Sequence, residues 1–88
     1  MRVESSEITM ANAASVTAAG VAAIGVGDGT IDLGAVTRCD SSAVAALLEW
    51  RRAASARGIE LRVLGGPRGL ASLATVYGVD ELLLPSLH

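Results

Sequence analysis

Phenylalanine is absent, and the 88 residues hold one tryptophan, one tyrosine, one cysteine and one histidine. A core without phenylalanine must be built from Leu, Val, Ile and Ala, so helices and sheet are expected to pack closely. The lone Cys39 excludes an internal disulfide and fits a reduced, cytosolic setting. It also has no second cysteine or histidine with which to build a metal site, and no cofactor is expected. His88, the last residue, is expected to fray, which makes it a poor base for a Ser–His–Asp arrangement. No basic block stands out, since seven arginines oppose nine acids for a formal charge of −2. That balance argues against a nucleic-acid partner and against a polybasic membrane-surface helix. No apolar stretch reaches the ~18 residues of a membrane span, and "MRVESSEITM" lacks the apolar run of a signal peptide. A soluble cytoplasmic protein is expected. It should form a single domain over residues 1–88, with a modest core and a small stability margin.

What the chain does have is 51% hydrophobic residues against 18% charged, which excludes a disordered tail. "EITM" (7–10) alternates polar with apolar and reads as a first strand. In "ANAASVTAAGVAAIG", Asn12 is a candidate N-cap, and Val16, Ala19 and Ala23 fall at helical spacing. Gly20 is a cost inside that helix. "TIDL" (30–33) reads as a strand after a turn signal, and "GAVTRC" as a connection. From Asp40 to Arg57 the chain reads as one helix. Asp40 caps it, Gly58 stops it, and Arg51, Arg52 and Arg57 lie towards its negative end. "IELRVL" (59–64) alternates as a strand, with Ile59, Leu61 and Val63 on one side. Pro67 starts a helix through "RGLASLATVY", which Gly78 ends. "VDELLLPSLH" is a short last element. Strand and helix alternate throughout, which predicts an α/β domain with right-handed crossovers and a mixed, mainly parallel sheet. No repeat, linker or low-complexity tract interrupts it.

Two glycine clusters invite a phosphate-loop reading. "GVGDGT" has no Lys–Ser/Thr ending and leads into a strand, so a tight loop is the reading. "GGPRG" leads into a helix but also lacks the lysine, and reads as a strand-to-helix turn. No close pair of carboxylates forms an acid/base couple. Asp80–Glu81 reads as a loop or helix start. Cys39 precedes a helix N-terminus, which lowers a thiol pKa, but a structural cysteine is the commoner outcome.

The stretch "DSSAVAALLEWRRAASARG" carries most of the functional argument. Turned at about 100° per residue, Ala43, Val44, Leu47, Trp50 and Ala54 group on a core-facing side. Ser42, Ala45, Glu49, Arg52 and Ala56 lie opposite, with Ser41 and Leu48 on the border. Small exposed residues let another backbone approach, and hydroxyls at the helix start can bond across an interface. A phosphate there would meet the favourable end of the dipole but also Asp40. Asp-Ser-Ser ahead of a helix is equally ordinary capping chemistry. Trp50 reads as a core-edge aromatic or as a partner contact.

"TIDLGAVTRCDSSAVAALLEWRR" resembles the strand–loop–helix signature of STAS domains, [V/I]-D-L-x-x-V-x-x-[V/I/C]-D-[S/T]-[S/A/G]-x-[L/V]-A-L-L, over residues 31–48. These are small α/β modules found in anti-sigma factor antagonists, anion-transporter tails and MlaB-like transporter subunits. "GGPRGLASLATVYGVDELL" is similar to the C-terminal helix of the MlaB-like branch, P-x-x-L-x-x-L-A-x-[L/V]-Y-G-V-x-x-L-L. The two matches cover about residues 30–84. The N-terminal third fits only by the order of its elements.

The resemblance implies a non-enzymatic accessory subunit of an ABC transporter that moves phospholipid between bacterial inner and outer membranes. Its partner would be an MlaF-like ATPase subunit, and it would lie at the inner membrane through that partner. Asp40 would cap the docking helix, with Ser41 and Ser42 at the docking centre and Ala45, Leu48, Glu49 and Arg52 around them. Ser41 stands where some relatives carry Thr. A second branch, the anti-sigma factor antagonists, would make Ser42 the phosphorylation site of a partner serine kinase. Those proteins usually begin with a strand carrying a Gly-Glu-like turn, which "ITMANAASV" lacks. A third reading, a small lipid- or ligand-binding domain, suits the apolar composition but has little room for a cavity, since such sites need ~300 Å³ or more.

Overall fold

A computed structural model describes residues 1–67 and Leu70. The elements run β1 (Glu7–Ile8), α1 (Ala13–Gly25), β2 (Thr30–Asp32), β3 (Arg38–Cys39), α2 (Ser41–Ala56) and β4 (Arg62–Leu64). The predicted alternation of strand and helix holds, with one addition. "GAVTRC" is more than a connection, because Arg38–Cys39 is a strand paired with β1. The first and last described strands are shorter than their alternating patterns suggested. Thr9 and Met10 belong to the turn before α1, and Ile59–Leu61 leads into β4 unpaired. The predicted helix after Pro67 is represented by Leu70 alone, helical and buried. Its remainder, Gly78, Asp80–Glu81, the last element and His88 lie outside the described residues.

Every pairing among the described residues is parallel. β2 pairs with β4, placing Ile31 opposite Val63, and β1 pairs with β3, placing Ile8 opposite Cys39. The two ladders are connected through the N-terminal segment. Arg2 bridges Asp32, Val3 donates to the Asp32 carbonyl at 3.0 Å, and Asp32 donates to the Met1 carbonyl at 2.7 Å. Residues 1–8 therefore run beside residues 30–39. The register offset is 30 at Arg2–Asp32 (32 − 2) and 31 at Glu7–Arg38 (38 − 7), so one extra residue separates the two stretches. A slip of that kind breaks a ladder as a bulge does.

The core is aliphatic with a single aromatic. Ile8, Ile24, Ile31, Leu33, Leu47, Val63 and Leu70 surround Trp50, which is 1% exposed. Trp50 lies between the helices: its Nε1 donates to the Thr17 carbonyl at 3.1 Å. That settles the tryptophan as core. Gly20 makes the arrangement possible. A Cβ there would fall 2.6 Å from Trp50 Cε2, inside contact distance. The glycine that weakens α1 by propensity is the one that admits the indole. The inward face of α1 is consequently centred on Gly20 and Ile24, with Val16 and Ala23 half-buried and Ala19 outside.

Asn12 precedes α1 but does not cap it with its side chain. Its Oδ1 accepts from the Thr9 N–H at 2.9 Å, and its Nδ2 donates to the Glu7 carbonyl at 2.8 Å and to Ser5 Oγ at 3.1 Å. It ties the end of β1 to the start of the helix. At the other end of α1, "GVGDGT" is the tight loop its sequence suggested. Gly27 donates to the Ile24 carbonyl and Asp28 to the Ala23 carbonyl, both at 3.0 Å. This is a Schellman C-cap, the reason for glycine after the helix.

Candidate functional site

α2 follows its pattern closely. Asp40 is extended, at φ −116° and ψ −169°, and its Oδ1 accepts from the Ser42 N–H at 2.8 Å. That is N-cap geometry, satisfying a helix-start donor that would otherwise be unpaired. The far end closes on Gly58 at φ +66°, where Gly58 donates to the Ser55 carbonyl and Ile59 to the Ala54 carbonyl. Between these stops Ala43, Val44, Ala46, Leu47, Trp50 and Ala54 are buried. The core-facing side is as the periodicity predicted, widened by Ala46.

The outward face is Ser41, Ala45, Leu48, Glu49, Arg51, Arg52, Ser55 and Ala56. Its centre line runs Ser41, Ala45, Leu48, Arg52 in steps of four, three and four residues, the spacing of one helix face. Ser41 therefore sits at the middle of the exposed arc and not on its border. Ser42 is half-buried at the edge, and its Oγ donates to Asp40 Oδ1. The two serines have different jobs: one is presented, the other is held. Leu48 is 40% exposed, and Arg52 pairs with Glu49 at 3.1 Å across one turn. Such exposed pairs contribute only tenths of a kcal/mol, about 0.3–0.5. This pair puts one charge, Arg52, on that centre line and the other, Glu49, beside it.

Asp40 does more than cap. Its second oxygen, Oδ2, accepts from the Met10 N–H at 3.2 Å. One carboxylate thus joins the start of α2 to the turn between β1 and α1. The Ser42 hydroxyl and N–H, followed by the Met10 N–H, hold the Asp40 carboxyl below the usual carboxylate range. Met10 is a neighbour that the sequence did not single out. Its signal was in principle available, as an apolar residue in a turn otherwise made of small and polar ones.

Cys39, next in the chain, behaves oppositely. Partial burial and the Asp40 charge push its thiol pKa up, so the helix start does not activate it. Among the described residues the structure holds no ligand pocket and no cluster of three or more His, Cys, Asp or Glu suited to a metal ion. No helix among them is long and apolar enough to cross a membrane.

The described residues form a parallel α/β fold with a capped "DSS" helix. The family model described as "Mlab, STAS domain" matches residues 4–85. The chain belongs to the STAS domain family, in its MlaB-like group. STAS domains are generally non-enzymatic regulatory or accessory modules. No curated protein and no solved structure matches the chain.

Proposed function

We propose that this STAS module is a non-enzymatic accessory subunit that docks on the ATPase of an MlaB-type ABC transporter. The transporter would move phospholipid between inner and outer membranes and so maintain outer-membrane lipid asymmetry. The module would lie on the cytoplasmic side, peripheral to the inner membrane through its partner. The observation that carries this reading is the outward face of α2, where Ser41, Ala45 and Leu48 stand exposed in line on a helix fixed at both ends. A rigid exposed line of this kind suits a protein surface, because little ordering entropy is lost on contact. Asp40 holds the helix start, Ser41 supplies a free-standing hydroxyl, and Ala45 and Leu48 are the apolar contact. Glu49 and Arg52 supply the charged part of the surface.

The test is capture from cytoplasm and detergent-solubilised membranes with wild type and with Ala45→Arg. Ala45 is exposed, so the variant should fold. Retention of an ABC ATPase and its permease by wild type, and their loss with the variant, is the expected result. Retention of a serine kinase or a sigma-regulating protein instead would overturn the transporter reading and make Ser42 a phosphorylation site.

A further inference from the structure

We propose that the ATPase subunit receives α2 on an acidic surface, and that Arg52 is the residue that meets a carboxylate there. The inference rests on the docking reading above and assigns a charge to the partner's side of the contact. Residues 41–57 carry Arg51, Arg52 and Arg57 against Glu49, a charge of +2 (3 − 1). The whole chain is −2, so the remaining residues carry −4 (−2 − 2). An acidic molecule thus has its net positive charge on one helix. Asp40, at the start of that helix, spends its carboxylate within the chain, on the Ser42 and Met10 N–H groups.

The helix itself does not call for Arg52. A helix dipole favours cations within its last turn, and in α2 that turn, ahead of the Arg57 C-cap, has no basic residue. Arg52 stands instead on the exposed centre line with Ser41, Ala45 and Leu48, its side chain 77% exposed. Glu49 takes one nitrogen of its guanidinium, Nη1, at 3.1 Å. The planar fork has donors on several nitrogens and matches a carboxylate with two parallel hydrogen bonds. The pair therefore steadies Arg52 and leaves donors for a second carboxylate. The apolar side chains of the same face are Ala45, Leu48 and Ala56, too small a set to enter a bilayer. Three arginines also fall short of the ~4–8 basic residues of a lipid-binding cluster. The face suits an acidic protein surface better than an anionic membrane.

The experiment measures binding kinetics of the purified ATPase subunit, at low and high salt, with wild type, Arg52→Gln, Arg52→Glu and Glu49→Gln. Arg62→Gln, at an exposed arginine of β4, is the control. At low salt Arg52→Gln is expected to weaken binding about tenfold and Arg52→Glu about a hundredfold. High salt should shrink both differences, because exposed charges are screened. Glu49→Gln keeps an acceptor for Arg52 but removes the one acid of the face, and should speed association. Arg62→Gln should match wild type, and all variants should unfold at the same temperature. If wild type binds and Arg52→Gln binds equally well, if Glu49→Gln slows association, or if Arg62→Gln weakens binding as much as Arg52→Gln, the acidic surface is wrong while the docking reading stands. Co-sedimentation with vesicles of phosphatidylglycerol and phosphatidylcholine completes the test. Wild type should stay in solution, and vesicle binding that Arg52→Glu abolishes would assign the face to a membrane and overturn the inference. If wild type does not bind the ATPase, the docking reading fails and the acidic surface with it.

Discussion

Gly20 shows how a residue can oppose its own helix and still be required by it. In an isolated helix a Gly to Ala change gains up to about 1 kcal/mol. Here the added methyl would meet the Trp50 indole, with Cδ1 at 2.9 Å as well as Cε2. Gly20→Ala is expected to be net destabilising by about 1–3 kcal/mol, the range for overpacking a filled core. Gly25, in the same helix, has no heavy atom near its would-be Cβ. Gly25→Ala should be neutral or stabilising, by up to about 1 kcal/mol. Urea denaturation followed by circular dichroism compares the pair, and equal effects would show that the Gly20–Trp50 contact is not what fixes α1. Asp40 makes its own prediction. Its pKa is lower folded than unfolded, so the stability it contributes is present above the ordinary carboxylate value of 3.8 and fades as pH falls through the folded value. Asp40→Ala should be less stable than wild type at neutral pH. The gap between the two should shrink on acidification from about pH 6 to about pH 2. A gap that stays constant would mean that the carboxylate's hydrogen bonds do not hold the helix start.

At the scale of elements, α2 separates stability from recognition by face. Leu47, buried on the inner side, is expected to cost about 2–5 kcal/mol as Leu47→Ala. Ala45→Arg on the outer side should stay within about 0.5 kcal/mol of wild type. Equilibrium denaturation measures both, and a large loss from Ala45→Arg would show that the outer face is already packed against something in the chain. This division was legible in the sequence because α2 carries its own punctuation: a carboxylate cap, a glycine stop and an unbroken period between. The candidate residues on it were likewise legible as a set, although not their ranking. A wheel cannot know that Ser42 spends its hydroxyl on Asp40 and thereby turns towards the edge. β3 was not legible, since two residues hold no period and Arg38–Cys39 is a strand only because Glu7–Ile8 lies beside it. The same reason hid the Arg2–Asp32 bridge and the Asp40–Met10 bond, which join positions 30 apart in the chain. The inner face of α1 was not legible, because alanine and glycine carry little hydropathic signal, and the partner that decides the face is the distant Trp50.

On the scale of the whole molecule, the described core depends on one indole and a set of aliphatic side chains, under strands of two or three residues. A chain of this size has a margin of about 4–13 kcal/mol, so a functional surface built at the expense of the core would be costly. The arrangement of the serines avoids that. Ser42 belongs to the folded frame through Asp40, and Asp40 in turn holds the β1–α1 turn through Met10. Ser41 touches none of this and stands exposed. A negative charge at the two positions should therefore act differently. Ser42→Glu brings a carboxylate against Asp40, loosens the cap and the Met10 turn together, and should lower both the melting temperature and partner binding. Ser41→Glu places its charge at the positive end of the α2 dipole, where an acid is tolerated or favoured. Its melting temperature should equal or slightly exceed that of wild type, while binding to the ATPase is lost on the docking reading. Melting curves and binding measured on the same preparations decide the matter. Loss of binding without loss of stability at Ser41 would mark it as a contact. Unchanged binding there would move the docking centre away from the start of α2, whatever Ser42→Glu does.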